Sequence, residues 1–540
     1  MIEIKTVSAL EKILPRTDTV HIRTDGIKLS GERFAFQVSL RAINNPVVQC
    51  RLRCESELPV NIYREDYVPG LCISPAHDEY IINERETLFP DVLVPYTGEC
   101  FSLAPGINCT FWVELPADEA VLSGVYEIRF SAADIRNEGD RAETVYRVRI
   151  VGGQLAQNDL LVTKWIHFDS IAETAHVRPF TPKFYRVFRE VVRLAVRSGQ
   201  TMAYIPMFTP PLDTAVGKER LTVQSVEVRF QQGEYRFCFK KFDELIQICK
   251  EEGIRYFEMS HLFTQWGAAS CPKIMVIGEN GRTEKKFGWK TSSESEEYTV
   301  FLRAFLPALS EHLQLLGIRE CTFLHLSDEP SAEHLMRYIR LHNLVKRCSG
   351  GMKTIDALSS YSFAENNIPD LPVVLEGEEE PFIQNGKNFA LYYSCVTDKN
   401  NHSNIFLHMP LLRVRVLGVI LYLQQAIGFL HWGLNFYRTA LSYAGINPFC
   451  STDGGGTLPA GDPFCIYPDG ARGVFSSLRQ ETFACAIQDY CLLKKCESLY
   501  GRARVLQVLE KHGFSEPYKY PHDETAFESL RSELVSIITD

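Results

Sequence analysis

The stretch ECTFLHLSDEPSAEHLMRYIRLHNLVKRCSG, residues 320–350, decides the fold. It opens with a short apolar run closed by the polar turn Ser327-Asp328-Glu329-Pro330, which is how a buried strand reads. Ser331 then caps a helix carried by the rest of the stretch. A strand that ends in charged residues and hands over to a helix is one unit of an α/β fold.

The same rhythm continues on both sides. Upstream, LLVTKWIHF (160–168) precedes TPKFYRVFREVVRLAVRSG (181–199), where Thr181 is the N-cap, Pro182 holds the first helical position and Gly199 is the stop. Its apolar residues at 184, 187, 188, 191 and 195 mark one helix face. TMAYIPMF (201–208) reaches its helix, FDELIQICKEEG (242–253), after an inserted hairpin, LTVQSVEVRFQQGEYRFCF (221–239). IRYFEMSHLF (254–263) reaches EEYTVFLRAFLPALSEHLQLLG (296–317) after a long insertion. Downstream strands are KTIDALSS (353–360), LPVVLEGE (371–378), NFALYYSCV (388–396) and GFLHWGLNF (428–436), and MPLLRVRVLGVILYLQQAI (409–427) is the clearest helix among them. Eight units in sequence close into a (β/α)8 barrel of the TIM type, with reactive groups at strand C-termini. An open doubly wound sheet would need a GxGxxG after a strand, and none occurs. DGGG at 453–456 precedes no clear helix and reads as a loop rather than a phosphate cradle.

The first 150 residues have a different period. GERFAFQVSL (31–40), CTFWVEL (109–115), GVYEIRF (124–130) and TVYRVRIV (144–151) alternate with a period of two and are separated by turn-rich segments. Short strands at that spacing predict an antiparallel β-sandwich. The chain is therefore a multidomain β plus α/β protein: a sandwich over 1–152, a catalytic barrel over 160–500 and a C-terminal helical extension over 501–540.

Composition narrows the function. With 45% hydrophobic and 23% charged residues, the 540-residue chain has ordinary globular usage and can bury a large core. A net charge of −10 gives no general attraction to polyanions, so nucleic acid is not an expected partner. The apolar run from Val416 is broken at Gln424 and Gln425, short of the roughly 18 residues a membrane span needs, so no membrane insertion is expected. Glu3, Lys5, Glu11 and Lys12 interrupt any signal-peptide core, which predicts a cytoplasmic protein. The 16 cysteines are scattered without a CxxC or a ligand-like pairing with His, and are read as free thiols. No cofactor and no metal are expected.

The strand ends carry the chemistry. Asp328 and Glu329 close the fourth strand, where mutual repulsion raises one pKa and keeps an acid protonated near neutral pH. Glycoside cleavage asks for such a pair: one group protonates the leaving oxygen while the other answers developing positive charge. Equally, two carboxylates can simply decorate a helix N-terminus. Trp165 and His167 end strand one; His261, Gln265 and Trp266 follow strand three; Tyr392 and Tyr393 lie on strand seven; Trp432 and Asn435 lie on strand eight. Together they describe an aromatic-walled cleft of the sort that stacks on sugar rings. Cys395, in an apolar strand, reads as an inert thiol rather than a nucleophile.

A sandwich followed by a barrel, LHLSDEP (324–330), LYYSC (391–395), GFLHWGLNFY (428–437), GDPFCIYPDG (461–470) and SLRQETFACAIQDYCLL (477–493) together resemble glycoside hydrolase family 123, the β-N-acetylgalactosaminidases, and its related domain of unknown function. The resemblance covers most of residues 1–500. It implies a retaining, exo-acting enzyme that releases β-linked N-acetylgalactosamine from a glycan or glycoconjugate, with the substrate's own 2-acetamido oxygen as nucleophile. Glu329 then matches the general acid/base and Asp328 the carboxylate that orients the acetamido group. Tyr393, with Tyr392 as the alternate, is expected to donate to the acetamido carbonyl. Trp432 is expected to floor the sugar, with Asn435, His261, Trp266 and His167 as further substrate contacts. Cys465 and Gln480 depart from the family's usual pattern in the late segment. Two other readings stand beside this one: a glycosidase on a sugar lacking the acetamido group, with Glu376 as second carboxylate, and a non-catalytic carbohydrate-binding protein that binds through its sandwich.

Overall fold

A computed structural model of the chain describes residues 1–470 and 472–539. The N-terminal part forms two sheets. One orders Ile2–Val7, Phe34–Ala42, Asn108–Leu115, Asn61–Pro69 and Leu88–Pro95, antiparallel throughout. The other orders Asp25–Leu29, Asn137–Val151, Gly124–Asp134, Val47–Ser56 and Phe101–Leu103, antiparallel except for the parallel pairing of its first two strands. Alternation sends Phe36, Val38 and Leu40 into one core with Phe130, Tyr146 and Val148 of the second sheet. Phe36 stacks on Tyr146 at 3.8 Å and meets Phe130 edge-on at 5.9 Å.

The late segment crosses back to these sheets. Strand Val474–Ser477 pairs with Leu88–Pro95, and Tyr467–Pro468 pairs with it in turn, so residues far beyond 152 extend the first sheet. Arg479, fully buried, donates to both carboxylate oxygens of Asp91 at 2.9 and 2.8 Å and to the carbonyls of Ile405, Gly461 and Phe464. A buried guanidinium whose donors are this fully engaged fixes the register of the seam between the two parts.

The second part is a parallel eight-stranded sheet, nearly closed into a barrel. Its strands are β1 (Leu161–Lys164), β2 (Met202–Ile205), β3 (Tyr256–Met259), β4 (Thr322–His325), β5 (Lys353–Ala357), β6 (Leu371–Leu375), β7 (Ala390–Tyr392) and β8 (Gly428–His431). From β2 to β8 each pairs in parallel with the next, and β8 pairs with β1. Between β1 and β2 the gap is bridged by Thr201 N–H to the Val162 carbonyl at 3.0 Å and Val162 N–H to Thr201 Oγ1 at 2.9 Å. Helices cover the outside as the periodicity predicts: Pro182–Arg197 is capped by Thr181 and buries Phe184, Val187, Phe188, Val191 and Ala195. The long insertion after β3 contributes two strands, Ile274–Ile277 and Thr283–Phe287, which join the inserted hairpin in a four-stranded sheet. The C-terminal extension holds helices Arg502–Lys511 and Glu524–Thr539. Among the described residues no helix is long and apolar enough to cross a membrane.

Candidate active site

At the C-terminal ends of the strands lies a cleft of about 190 Å³, lined among others by Trp165, Asp213, Trp266, Asp328, Glu329, Tyr392 and Trp432. Neighbours on an extended strand face opposite ways, so two adjacent carboxylates in one cleft need a backbone device. Glu329 supplies it with φ +44°, a left-handed conformation that costs a residue with a Cβ. Its N–H donates to the Ala357 carbonyl at 3.0 Å, while the Asp328 carbonyl accepts the Trp266 N–H at 2.8 Å. These two bonds hold the strained turn between its neighbours on β5 and the loop after β3. Burial first, then the charges of Glu329 and Asp213, push the Asp328 carboxyl well above the usual carboxylate range. Tyr392, at the end of β7, donates its hydroxyl to Glu329 Oε1 at 2.8 Å.

Beneath the cleft the barrel is plugged by charge. Thr163 Oγ1 donates to Glu258 Oε1 at 2.6 Å, and His325 lies between Glu258 Oε2 (2.8 Å) and Asp356 Oδ1 (3.1 Å). Burial opposes the imidazolium, but the hydrogen bonds to both carboxylates outweigh it and hold His325 up to about 9. Asp356 also accepts the Leu326 and Ser327 N–H groups and the Tyr338 hydroxyl, so the plug grips the backbone just ahead of Asp328. His261, His325 and Asp356 bring ligand atoms within 4.8 Å of one another, a grouping that could hold a metal. Both His325 nitrogens are committed to carboxylates and the His261 and His325 rings stack at 4.2 Å, so the two imidazoles do not converge in plane on one point. This is an ion-paired support.

The catalytic-domain model of glycoside hydrolase 123 matches residues 165–496, which contain every cleft residue named above. The chain belongs to glycoside hydrolase family 123. The family 123 glycoside hydrolase from Clostridium perfringens, analysed for glycolipid glycan hydrolysis, is similar over 100% of this chain and 98% of its own at a TM-score of 0.76 and 14% identity, a likeness of fold. A family 2 β-galacturonidase from Eisenbergiella tayi (11% identity, 90% of this chain, 71% of its own) and a family 5 mannosidase from Rhizomucor miehei (10%, 67% and 97%) reach TM-scores of only 0.32. No curated protein sequence matches the chain.

The structure of this glycoside hydrolase places the expected site residues unequally. Asp328, Glu329, Tyr392, Trp266 and Trp432 line the cleft; Tyr393, His167, Asn435 and His261 do not. Tyr393 points out of the barrel, where its ring packs 4.8 Å from Phe429 and its hydroxyl is buried without a partner. Strand alternation admits one tyrosine of the pair, and the hydrogen bond to Glu329 marks Tyr392 as that one. His167 sits one layer behind: Arg220 donates to its Nδ1 at 3.0 Å, leaving Nε2–H to donate to the Trp432 carbonyl at 2.9 Å. Burial, followed by the Arg220 charge, pushes it down to about 3, which keeps it neutral. Asn435 exchanges two hydrogen bonds with the His167 backbone, at 2.8 and 3.1 Å, and ties the β1 and β8 ends together. His261 lies in the plug, with Nδ1 3.1 Å from the Tyr204 hydroxyl. Glu376 is also outside the cleft; its carboxylate accepts the Ser403 N–H at 2.8 Å and the Ser403 hydroxyl. Cys395 does line the cleft, but burial pushes its thiol up to about 12, and the carboxylates nearby add to this, so it stays protonated.

Sequence reading missed Asp213 and Asp462. Asp462 belongs to the late GDPF segment and accepts Trp432 Nε1–H at 3.2 Å, which fixes the indole plane. Gly433 lets that segment approach, since a Cβ there would sit 2.4 Å from the Pro463 carbonyl oxygen. The two departures from the family pattern lie outside the barrel: Gln480 accepts from Lys164 at 2.9 Å and from the Cys465 thiol at 3.0 Å.

Proposed function

We propose that this glycoside hydrolase is a retaining, exo-acting β-N-acetylgalactosaminidase working through the substrate's 2-acetamido group. The observation that carries the reading is the adjacency of Asp328 and Glu329 in one cleft, with Tyr392 on Glu329. A retaining enzyme with its own nucleophile sets two carboxylates about 5–5.5 Å apart across the anomeric carbon, which neighbours in sequence serve poorly. A neighbouring acetamido oxygen removes that requirement, and Asp328 then accepts the amide N–H and balances the charge of the cyclic intermediate. Glu329 protonates the departing oxygen and afterwards takes a proton from the water that opens the intermediate.

Tyr392 links binding to proton placement. Without substrate its hydroxyl donates to Glu329, while burial and the neighbouring charges favour the protonated form of Asp328. When the acetamido carbonyl takes the Tyr392 hydroxyl, the amide N–H that reaches Asp328 favours its ionised form, and the proton passes to Glu329, which delivers it to the departing oxygen. Trp432 and Trp165 offer apolar walls to the ring, and among the described residues no Lys or Arg lines the cleft, which favours a neutral sugar. The two facing N-terminal sheets are read as a β-sandwich that braces the barrel.

The test is hydrolysis of aryl β-glycosides with and without the 2-acetamido group, together with inhibition by an acetamido-derived thiazoline that mimics the cyclic intermediate. Loss of turnover in Asp328→Asn and Glu329→Gln with thiazoline inhibition of the wild type is expected. Equal turnover of both sugar types and no thiazoline effect would sink the reading.

A further inference from the structure

We propose that Asp213 is a specificity-determining residue of this enzyme, its carboxylate accepting a hydroxyl of the sugar held against Asp328 and Glu329. This rests on the glycosidase reading above.

Asp213 follows β2, on the loop ahead of the inserted hairpin, and lines the same cleft. Its backbone is fixed from three sides. The N–H donates to Gln265 Oε1 at 2.8 Å, the carbonyl accepts the Ser442 hydroxyl at 2.6 Å, and the preceding Leu212 carbonyl accepts from Arg220 at 3.3 Å. The residue is held at φ +46°, strain that the surrounding contacts over-determine. All this order serves a carboxylate that accepts no hydrogen bond from any described side chain or N–H.

The nearby cation, Arg220, does not reach it. Arg220 commits Nε and one terminal nitrogen to Asp169 at 2.8 and 2.6 Å, and its remaining donation goes to His167 and Leu212. Burial pushes Asp213 up to about 7; the Arg220 charge opposes this without a hydrogen bond, and Glu329 and Asp462 add to it. The residue stays partly exposed to the cleft, so this rigidly held acceptor without a protein donor is open to one that a ligand brings. In the proposed complex the amide N–H goes to Asp328 and the glycosidic oxygen to Glu329, so the donors left on the sugar are its ring hydroxyls. A carboxylate accepting a hydroxyl discriminates strongly, because the analogue lacking that hydroxyl leaves it unpaired.

The experiment compares full-length wild type, Asp213→Gly and Asp213→Asn on an aryl β-N-acetylgalactosaminide and on analogues each lacking one ring hydroxyl. Gly and Asn both tolerate positive φ, and matched melting curves certify the fold. Asp213→Gly is expected to lower kcat/KM on the parent sugar by about 10- to 100-fold, with Asp213→Asn falling less. At one hydroxyl position the penalty for deoxygenation should vanish in Asp213→Gly, because the two changes delete one contact. Penalties that multiply at every position overturn the proposal. Loss of all turnover, restored by azide, also overturns it, by making Asp213 the nucleophile. A wild type active only on sugars without the acetamido group overturns the parent reading instead, and the same cycle run on those sugars still judges Asp213.

Discussion

Tyr392 and Tyr393 are adjacent, chemically identical and buried, and the structure gives them opposite consequences. Removing the hydroxyl of Tyr392 deletes a 2.8 Å bond to the Glu329 carboxylate. In the proposed complex that hydroxyl passes to the acetamido carbonyl, so Tyr392→Phe removes an ordinary hydrogen bond of about 1 kcal/mol together with the aim of the nucleophile, and should lose about 10- to 100-fold in kcat/KM. Because the same hydroxyl is proposed to aim the acetamido carbonyl in the transition state, the loss should fall mainly on kcat. Tyr393→Phe deletes a hydroxyl with no partner in a fully buried site while leaving its ring on Phe429 and His431. Activity should stay within about twofold and the melting temperature should hold or rise, since an unsatisfied buried hydroxyl costs about 1–3 kcal/mol. The assay is steady-state hydrolysis of an aryl β-N-acetylgalactosaminide, with thermal melting of each variant. Comparable kcat losses in both variants, or an unaffected Tyr392→Phe, would refute the assignment of faces and with it the proposed role of the hydroxyl.

Three further outcomes are expected. Glu329→Gln should lose about 10²- to 10⁴-fold on a poor aryl leaving group but far less on a strongly acidic one, which departs without a proton; equal losses on both would remove Glu329 as the acid. His325 is held up to about 9 against an ordinary 6.5, so its contribution to stability is complete below about pH 6.5 and fades as pH rises through about 9. His325→Gln, which breaks a fully buried pair costing about 3–5 kcal/mol, should therefore melt well below wild type at pH 6 and converge with it above pH 9; a constant gap across that range would show the histidine is neutral. Sulfated N-acetylgalactosaminides should be turned over at least about tenfold more slowly than the neutral sugar, since Asp213, Asp328 and Glu329 meet no Lys or Arg among the described residues that line the cleft; equal rates would dismiss charge exclusion.

What could be read in the sequence follows the periodicities. Strand–helix alternation is local, so the eight barrel strands and the capped helix after Thr181 were visible directly in the chain. The pair Asp328-Glu329 was visible because a strand end fixes where side chains emerge, and β4 ends at His325 just before it. The tyrosines show the limit of that logic. Alternation says that one of two neighbours faces in, but the phase of a three-residue strand, Ala390–Tyr392, is set by its pairing with β6 and β8, which lie outside the strand's own sequence. His167 and Asn435 were drawn to the site by their position at strand ends, yet Arg220 and the Trp432 carbonyl take up the histidine and the histidine's backbone takes up the asparagine.

The residues that went unread, Asp213 and Asp462, share a cause. Neither lies on a barrel strand; each is on an irregular segment whose course depends on partners elsewhere in the chain, Gln265 and Ser442 for one and the Arg479-anchored turn for the other. Local pattern has no term for such contacts. The one signal open to inspection was chemical: GDPF carries an acid that reaches the tryptophan-bearing strand end, 30 residues earlier in the chain, only after Gly433 lets the two backbones meet. This division has a functional logic. The barrel strands fix the proposed reacting pair and its charged plug, while irregular segments bring Asp213 to the cleft and Asp462 to the Trp432 indole. Specificity can then change by exchanging a loop acid while Asp356 keeps its grip on the backbone ahead of Asp328.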